Sequence, residues 1–323
     1  CLSFHRATGN GHYRILYFGI SRPNACNHAL HEFWKADEGL PERSQAYDET
    51  RRERFMEDHS PYAHLCAPVD SQHLFWWLSS GINRLFITGM LGIAASGMFA
   101  AASKIPGLLN TAYMVFQQAW QLSAYQESGS KGLGKFFSSV FCALQAALTV
   151  MCALLSLFAP FIASIMLQGE TYVAWPMISI LLISNLFSVF ASFYGTVYST
   201  TMHTSFVMKT TMFGAIACVV LTPLLIPVLG TTGACIASAL GQMLVFMMRV
   251  VDAGRYIRIT VGWRYLAPTL ALLVFQASAI SWQITGWNIV SCVCTVLVTA
   301  IQITHVATSL PQIRAIRGNK TRA

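Results

Sequence analysis

The sequence predicts an all-α, polytopic membrane helix bundle of about eight transmembrane helices. Three observations carry that prediction. The 323-residue chain is 54% hydrophobic and only 11% charged, where a soluble domain holds about 25% charged residues. Its acidic residues are segregated: ten of the 13 lie between Glu32 and Asp70, and beyond them only Glu127, Glu170 and Asp252 remain. From residue 74 onward the chain resolves into apolar runs of the roughly 17–25 residues that a spanning helix needs. Backbone groups cannot go unpaired in hydrocarbon, so only helices or closed barrels span it. Runs without in–out alternation exclude a barrel.

Residues 1–73 form a polar head of different composition, with eight basic residues, ten acidic residues and seven of the nine histidines. Arg6, Arg14, Arg22, Arg43 and the run Arg51-Arg52-Glu53-Arg54 follow neither a helical nor a strand period, and apolar stretches such as 15–20 are short and isolated. His59, His64 and Cys66 could be read as metal ligands, but their spacing is loose and fits solvated loop residues better. A cytosolic tail is the plainest reading of this head. No cleavable signal peptide is visible. A chain that begins at Cys1 predicts a true N-terminus further upstream.

The membrane body of about 250 residues divides into segments 74–91, 97–120, 136–158, 172–198, 205–227, 233–251, 265–282 and 287–306. If these alternate strictly, Lys131, Lys135, Lys209, Arg249, Arg255, Arg258, Arg264, Arg314, Arg317, Lys320 and Arg322 all fall on one side. The turns expected at 93–96, 159–171, 230–232 and 283–286 carry no Lys or Arg. Cytoplasmic loops are enriched in Lys and Arg. Both ends of the body are therefore expected in the cytoplasm, in a multi-pass protein of the cell membrane. Trp76, Trp77, Trp120, Trp175, Trp263, Trp282 and Trp287 stand at segment ends, as an interfacial belt requires. Gly233, Ala237 and Gly241 make a small-xxx-small face for close helix packing. Pro106, Pro223 and Pro268 fall inside spans and are expected to kink them.

Functional candidates are polar residues where polarity is expensive. Arg84 sits near the middle of the first span, where a cation costs at least about 2.5–3.5 kcal/mol. Ser80 and Thr88, four residues either side, give it a polar helix face. Lys104 lies nearer the end of the second span, within reach of the interface by snorkelling. Thr111 and Gln118 continue its face, and Asn110, Gln117 and Gln121 form an adjacent polar strip. These suggest a water-filled cavity or, about as readily, helix–helix hydrogen bonds. On the fourth span Asn185, Ser188, Ser192 and Thr196 recur at helical spacing, and interhelical packing is the favoured reading.

No Asp or Glu lies deep in any span, so the body reads as accepting anions rather than binding cations. Paired carboxylates, a nucleophile with its base and a phosphate loop are all missing from the sequence, which predicts a non-enzyme without cofactor or metal. The net charge of +8 comes from inter-span loops rather than from a basic, aromatic patch, which argues against nucleic acid. Cys142, Cys152, Cys218, Cys235, Cys292 and Cys294 lie in apolar runs and read as small buried hydrophobes. Cys292-Val293-Cys294 lacks the spacing of a redox or zinc pair.

Three stretches, FWWLSSGINRLFITGMLG from Phe75, SGMFAAASKIPGLLNTAYMVFQQAWQLSA from Ser96 and PLLIPVLGTTGACIASALG from Pro223, together resemble the second half of Wzx-like polysaccharide and oligosaccharide flippases. These belong to the multidrug/oligosaccharidyl-lipid/polysaccharide exporter superfamily. The resemblance covers residues 75 to about 257. It implies that 74–257 is the second six-helix lobe of a two-lobed transporter, with 258–323 two added helices and a basic cytoplasmic tail. It implies transport of a polyprenyl-diphosphate-linked oligosaccharide across the cytoplasmic membrane, for polysaccharide biosynthesis, by rocking of one lobe against the other.

Membrane lipids and a missing N-terminal lobe would be its partners. Arg84 and Lys104 match basic positions expected to face the cavity and draw the diphosphate. Asn83, Gln117, Gln118 and Gln121 are the accompanying substrate-binding candidates. The family usually shows Asp-Arg where this chain has Asn83-Arg84. A multidrug/cation antiporter of the same fold and a non-transporting membrane scaffold are the alternatives. The abrupt junction near Phe75 predicts that residues 1–73 are disordered, or a frameshifted translation, with no domain of their own.

Overall fold

A computed structural model describes residues 3–7, 13–17, 81–126, 133–167, 169–200, 205–255, 257, 259 and 261–320. The chain divides into two units, Cys1–Ala63 and His64–Ala323. In the first, β1 (Ser3–Ala7) pairs antiparallel with β2 (Tyr13–Tyr17), Ser3 opposite Tyr17 and Ala7 opposite Tyr13. That departs from the expectation of no regular structure in the head. The sequence between the strands holds Gly9-Asn10-Gly11, residues that favour turns. The rest of the head lies outside the described residues, including His59, His64 and Cys66. So do Trp76, Trp77 and Ser80.

Every described regular element of the second unit is helical. Helix α1 covers 81–91 and stops at Gly92, whose φ of 91° needs a residue without Cβ. Helix α2 (Ile93–Ala102) starts immediately, so the turn is one glycine rather than 93–96. The span expected at 97–120 is broken: α2 ends at Ser103 and α3 (Lys104–Gln126) begins after it. Pro106 explains the break, because its ring crowds the carbonyl four residues back and it offers no N–H. Ser103 closes the preceding turn by donating both its N–H (3.0 Å) and its Oγ (2.7 Å) to the Phe99 carbonyl.

Helix α4 (Leu133–Leu157) is followed by a short α5 (Ala159–Met166) and a 3₁₀ turn (Gly169–Ala174), where a plain loop was expected. Helix α6 (Trp175–Thr200) leads to α7 (Ser205–Leu229), which contains Pro223 and Pro227. Helix α8 (Thr231–Ala253) follows after Gly230, and then α9 (Trp263–Ser281) and α10 (Trp287–Lys320). Among the described residues, five stretches are long and apolar enough to cross a membrane: Leu133–Leu157, Thr171–Tyr198, Phe206–Leu229, Thr231–Ala253 and Trp287–Thr308. Helices α3 and α9 occupy two further expected spans and are long enough, but are too polar to join them. Asn110 and the glutamines dilute α3, and Arg264 and Gln276 dilute α9. The first expected span extends into residues outside the description. The unit is a polytopic helical bundle.

The core gathers on α6. The protein buries 67% of its span against 22% for that of α7, so α6 is central and α7 peripheral. Helix α7 exposes Phe213, Ile216, Val220 and Leu224 along one face. Its other face packs on α8 through small residues. A Cβ on Gly241 would stand 3.1 Å from the Gly214 carbonyl oxygen, and one on Gly233 would collide with the Leu225 backbone. This is the close approach predicted from the small-xxx-small face.

Buried amides tie α9 to α4 and α10 to α9. Gln276 Nε2 donates to the Ala153 carbonyl (3.2 Å), and Gln302 Nε2 to Thr269 Oγ1 (3.1 Å). Two expectations for side chains need correction. Trp120 is buried, not interfacial, with ring centroids of Phe136, Phe137 and Phe193 within 5.2 Å. Trp175 is also buried and packs on Trp287 at 5.1 Å, while Trp263 and Trp282 are exposed. Cys292 is exposed, whereas the five other cysteines of the apolar runs are buried.

Candidate functional site

Helix α1 carries two adjacent polar residues that turn in different directions. Asn83 is buried and tied to the α7–α8 pair. Its Nδ2 donates to Ser238 Oγ (2.8 Å) and Cys218 Sγ (3.2 Å), and its Oδ1 accepts from Thr222 Oγ1 (2.5 Å). An amide suits this spot because it donates and accepts at once, which a carboxylate cannot do. Fixing Asn83 fixes the rotation of α1. Arg84, roughly 100° further round the helix, is exposed, and its guanidinium has no hydrogen-bond acceptor among the described residues. Thr88 Oγ1 donates to the Arg84 carbonyl (2.8 Å).

Arg84 and Asn83 border a cavity of about 600 Å³. The break between α2 and α3 supplies Phe99, Ser103 and Asn110. Helix α6 supplies Leu181, Ser184, Asn185 and Ser188. Helices α7 and α8 close it with Gly214, Cys218, Ser238, Gly241 and Gln242. Gly214 and Gly241 let α7 and α8 approach closely at this wall, since a Cβ on either would meet the facing helix. Asn110 Nδ2 donates to Asn185 Oδ1 across the α3–α6 seam (2.9 Å). Among the described residues that line the cavity, Arg84 is the one charge, and no carboxylate stands beside it. The other polar lining is neutral amide and hydroxyl.

The remaining sequence candidates lie elsewhere. Lys104 is exposed at the first position of α3 and outside the lining. Gln117 and Gln121 are half-buried and Gln118 is exposed, and none of the three borders the cavity. The reason is the inward face of α3 at that level. Tyr113 and Trp120 are buried there and Phe116 partly so, an aromatic stripe that turns the glutamines away. Of the polar strip on α3, only Asn110 reaches the site. The fourth-span series read as packing is split. Asn185 and Ser188 line the cavity, Ser192 Oγ bonds back to the Ser188 carbonyl (2.9 Å), and Thr196 is buried. Gln242, a lone amide in an apolar span, is a lining residue that sequence reasoning passed over.

Arg249, expected in a cytoplasmic loop, lies inside α8 with 2% of its surface exposed. It donates from Nε to Thr210 Oγ1 (3.1 Å), from NH1 to the Ala191 carbonyl (2.7 Å), and from NH2 to Thr211 Oγ1 (2.9 Å) and the Val207 carbonyl (3.3 Å). The Tyr198 hydroxyl donates to the Arg249 carbonyl (3.2 Å). Four guanidinium bonds thus join α6, α7 and α8, a cross-link rather than a ligand site. Asp252, one turn on, is also buried and pairs with the exposed Arg255 at 3.5 Å.

Fold and cavity together define a polytopic helical bundle with a half-open cavity, mostly apolar, that carries several neutral polar groups and, among the described residues, one cation. No protein-family model and no curated protein matches the chain. Among solved structures, a MOP superfamily transporter from Pyrococcus furiosus matches over 76% of this chain at 16% identity, with a TM-score of 0.46. The chain spans 63% of the length of that structure. That transporter is described as having a binding pocket of reverse polarity, which suggests a different function for it.

Proposed function

We propose that this chain is a membrane transporter segment that moves a polyprenyl-diphosphate-linked oligosaccharide across the cytoplasmic membrane. The single observation carrying the proposal is the cavity: Arg84 is its only charged lining residue among those described, and its remaining polar groups are neutral. An exposed guanidinium with no acceptor among the described residues is available to a diphosphate and can hold it bidentately. The volume, about 600 Å³, falls within the range of ligand pockets. Three family-like stretches of sequence point the same way, and all three contribute lining residues, the first Asn83 and Arg84, the second Ser103 and Asn110, the third Ser238 and Gly241. Lipid is the remaining partner, against the exposed apolar face of α7. The ends of the membrane body are assigned to the cytoplasm, following the basic loops.

The test is movement of a fluorescent polyprenyl-diphosphate disaccharide between the leaflets of proteoliposomes holding the 323-residue chain. Arg84→Gln is expected to lower the rate about tenfold, as one charge-assisted contact implies, and Arg84→Lys to retain part of it. Unchanged transport in Arg84→Gln overturns the reading of Arg84 as the diphosphate site, and no transport by the wild-type chain overturns the transporter reading and favours a scaffold.

A further inference from the structure

We propose that the cavity contains a second, neutral subsite, centred on Asn110 and Asn185 with Ser184, Ser188 and Gln242, that binds the hydroxyl groups of a sugar. The proposal rests on the flippase reading above and adds to it a separate site for the uncharged part of the cargo. It begins from two kinds of asparagine. Asn83 is saturated: both ends of its amide are engaged by hydroxyls and a thiol on α7 and α8, and it is buried. That is how an interhelical polar tie looks. Asn110 and Asn185 share one hydrogen bond of 2.9 Å. The bond uses one donor of Asn110 and the Asn185 oxygen. The Asn110 oxygen and the Asn185 Nδ2 make no other hydrogen bond among the described residues, and both side chains are only partly buried.

Their surroundings are also incompletely paired. The Ser188 hydroxyl and the Gln242 amide make no hydrogen bond among the described residues, and both border the cavity. Amides left half-paired beside hydrocarbon are costly unless water or a ligand completes them. The type of group says which ligand. An apolar ligand would leave every amide unpaired. An anion would find only weak neutral donors here and a far better partner in Arg84. A sugar offers adjacent hydroxyls that both donate and accept, the complement of amides and hydroxyls that do the same. Phe99, at the same cavity, supplies an apolar face for the C–H side of a pyranose ring.

The chain is held in lipid nanodiscs and titrated with two probes, undecaprenyl diphosphate and the same lipid carrying a neutral disaccharide. The wild-type chain is expected to bind the glycosylated probe more tightly. Asn185→Ala and Gln242→Ala should each weaken it about tenfold, roughly one or two lost hydrogen bonds, and leave the bare diphosphate unaffected. Arg84→Gln should weaken both probes to the same extent. Equal wild-type affinity for the two probes overturns the subsite, as does equal weakening of both by Asn185→Ala and Gln242→Ala. Should Asn185→Ala fail to fold, Gln242→Ala, away from the α3–α6 seam, decides alone. A wild-type chain that binds neither probe overturns the flippase reading itself.

Discussion

Two arginines divide the work of the bundle. Arg84 faces a cavity, is exposed, and has no acceptor among the described residues. Arg249 is 2% exposed and gives four hydrogen bonds to α6 and α7. In the linear sequence the emphasis falls the other way. Arg84 stands out near the middle of an apolar span, while Arg249 sits two residues from the end of the segment 233–251, with Arg255 and Arg258 to follow, and reads as a loop charge. The difference teaches that a cation in a membrane helix is not one kind of signal. Whether it is structural or available for a ligand depends on how many acceptors the neighbouring helices bring to it.

The comparison breaks most readily at Arg249. Arg249→Ala removes four donor bonds and opens a void. It is expected to cost about 3 kcal/mol or more, seen as a lower unfolding temperature of the detergent-solubilised chain by circular dichroism. Arg249→Met, which refills the volume, should lose less than half as much. If both variants melt like wild type, Arg249 is not a cross-link.

Asn83→Leu comes next. It removes the amide's bonds to Thr222, Ser238 and Cys218 at the α1 contact, while the two hydroxyls keep their bonds to the Cys218 and Ala234 carbonyls, and should cost about 2 kcal/mol in the same assay. Gly241→Val tests the support beneath the cavity. Its side chain meets the Gly214 carbonyl and Cys218, and overpacking of about 1–2 kcal/mol should appear together with reduced cavity binding. The smallest expected change in stability is at Arg84. Arg84→Gln should stay within about 0.5 kcal/mol of wild type while losing transport. A large loss of stability there would make the two arginines alike and remove the functional distinction.

The helical bundle was legible because long apolar runs and the hydrocarbon's demand for paired backbone groups leave few alternatives. The close α7–α8 contact was legible for a similar reason, since Gly233, Ala237 and Gly241 repeat at the spacing of one helix face. The break at Ser103 was half-legible. Pro106 announced a disturbance, but the sequence did not say that α2 and α3 would separate there and open room for a cavity. The glutamines of α3 misled because composition counts polar groups without saying which way they turn. Their direction was set by the aromatic stripe of Tyr113, Phe116 and Trp120, which the core claimed first.

The class of fold, the polar split near residue 74 and the cation at Arg84 follow from local rules of hydropathy, helix period and charge cost, which need no partner. That Asn83 is a saturated tie while Asn110 and Asn185 are not emerges from the packing of the helices. The same packing encloses Arg249 and leaves Lys104 and the glutamines outside the cavity. Each of these depends on acceptors and volumes contributed by helices distant in sequence, and hydrogen-bond saturation is a property of the assembled neighbourhood, not of the residue.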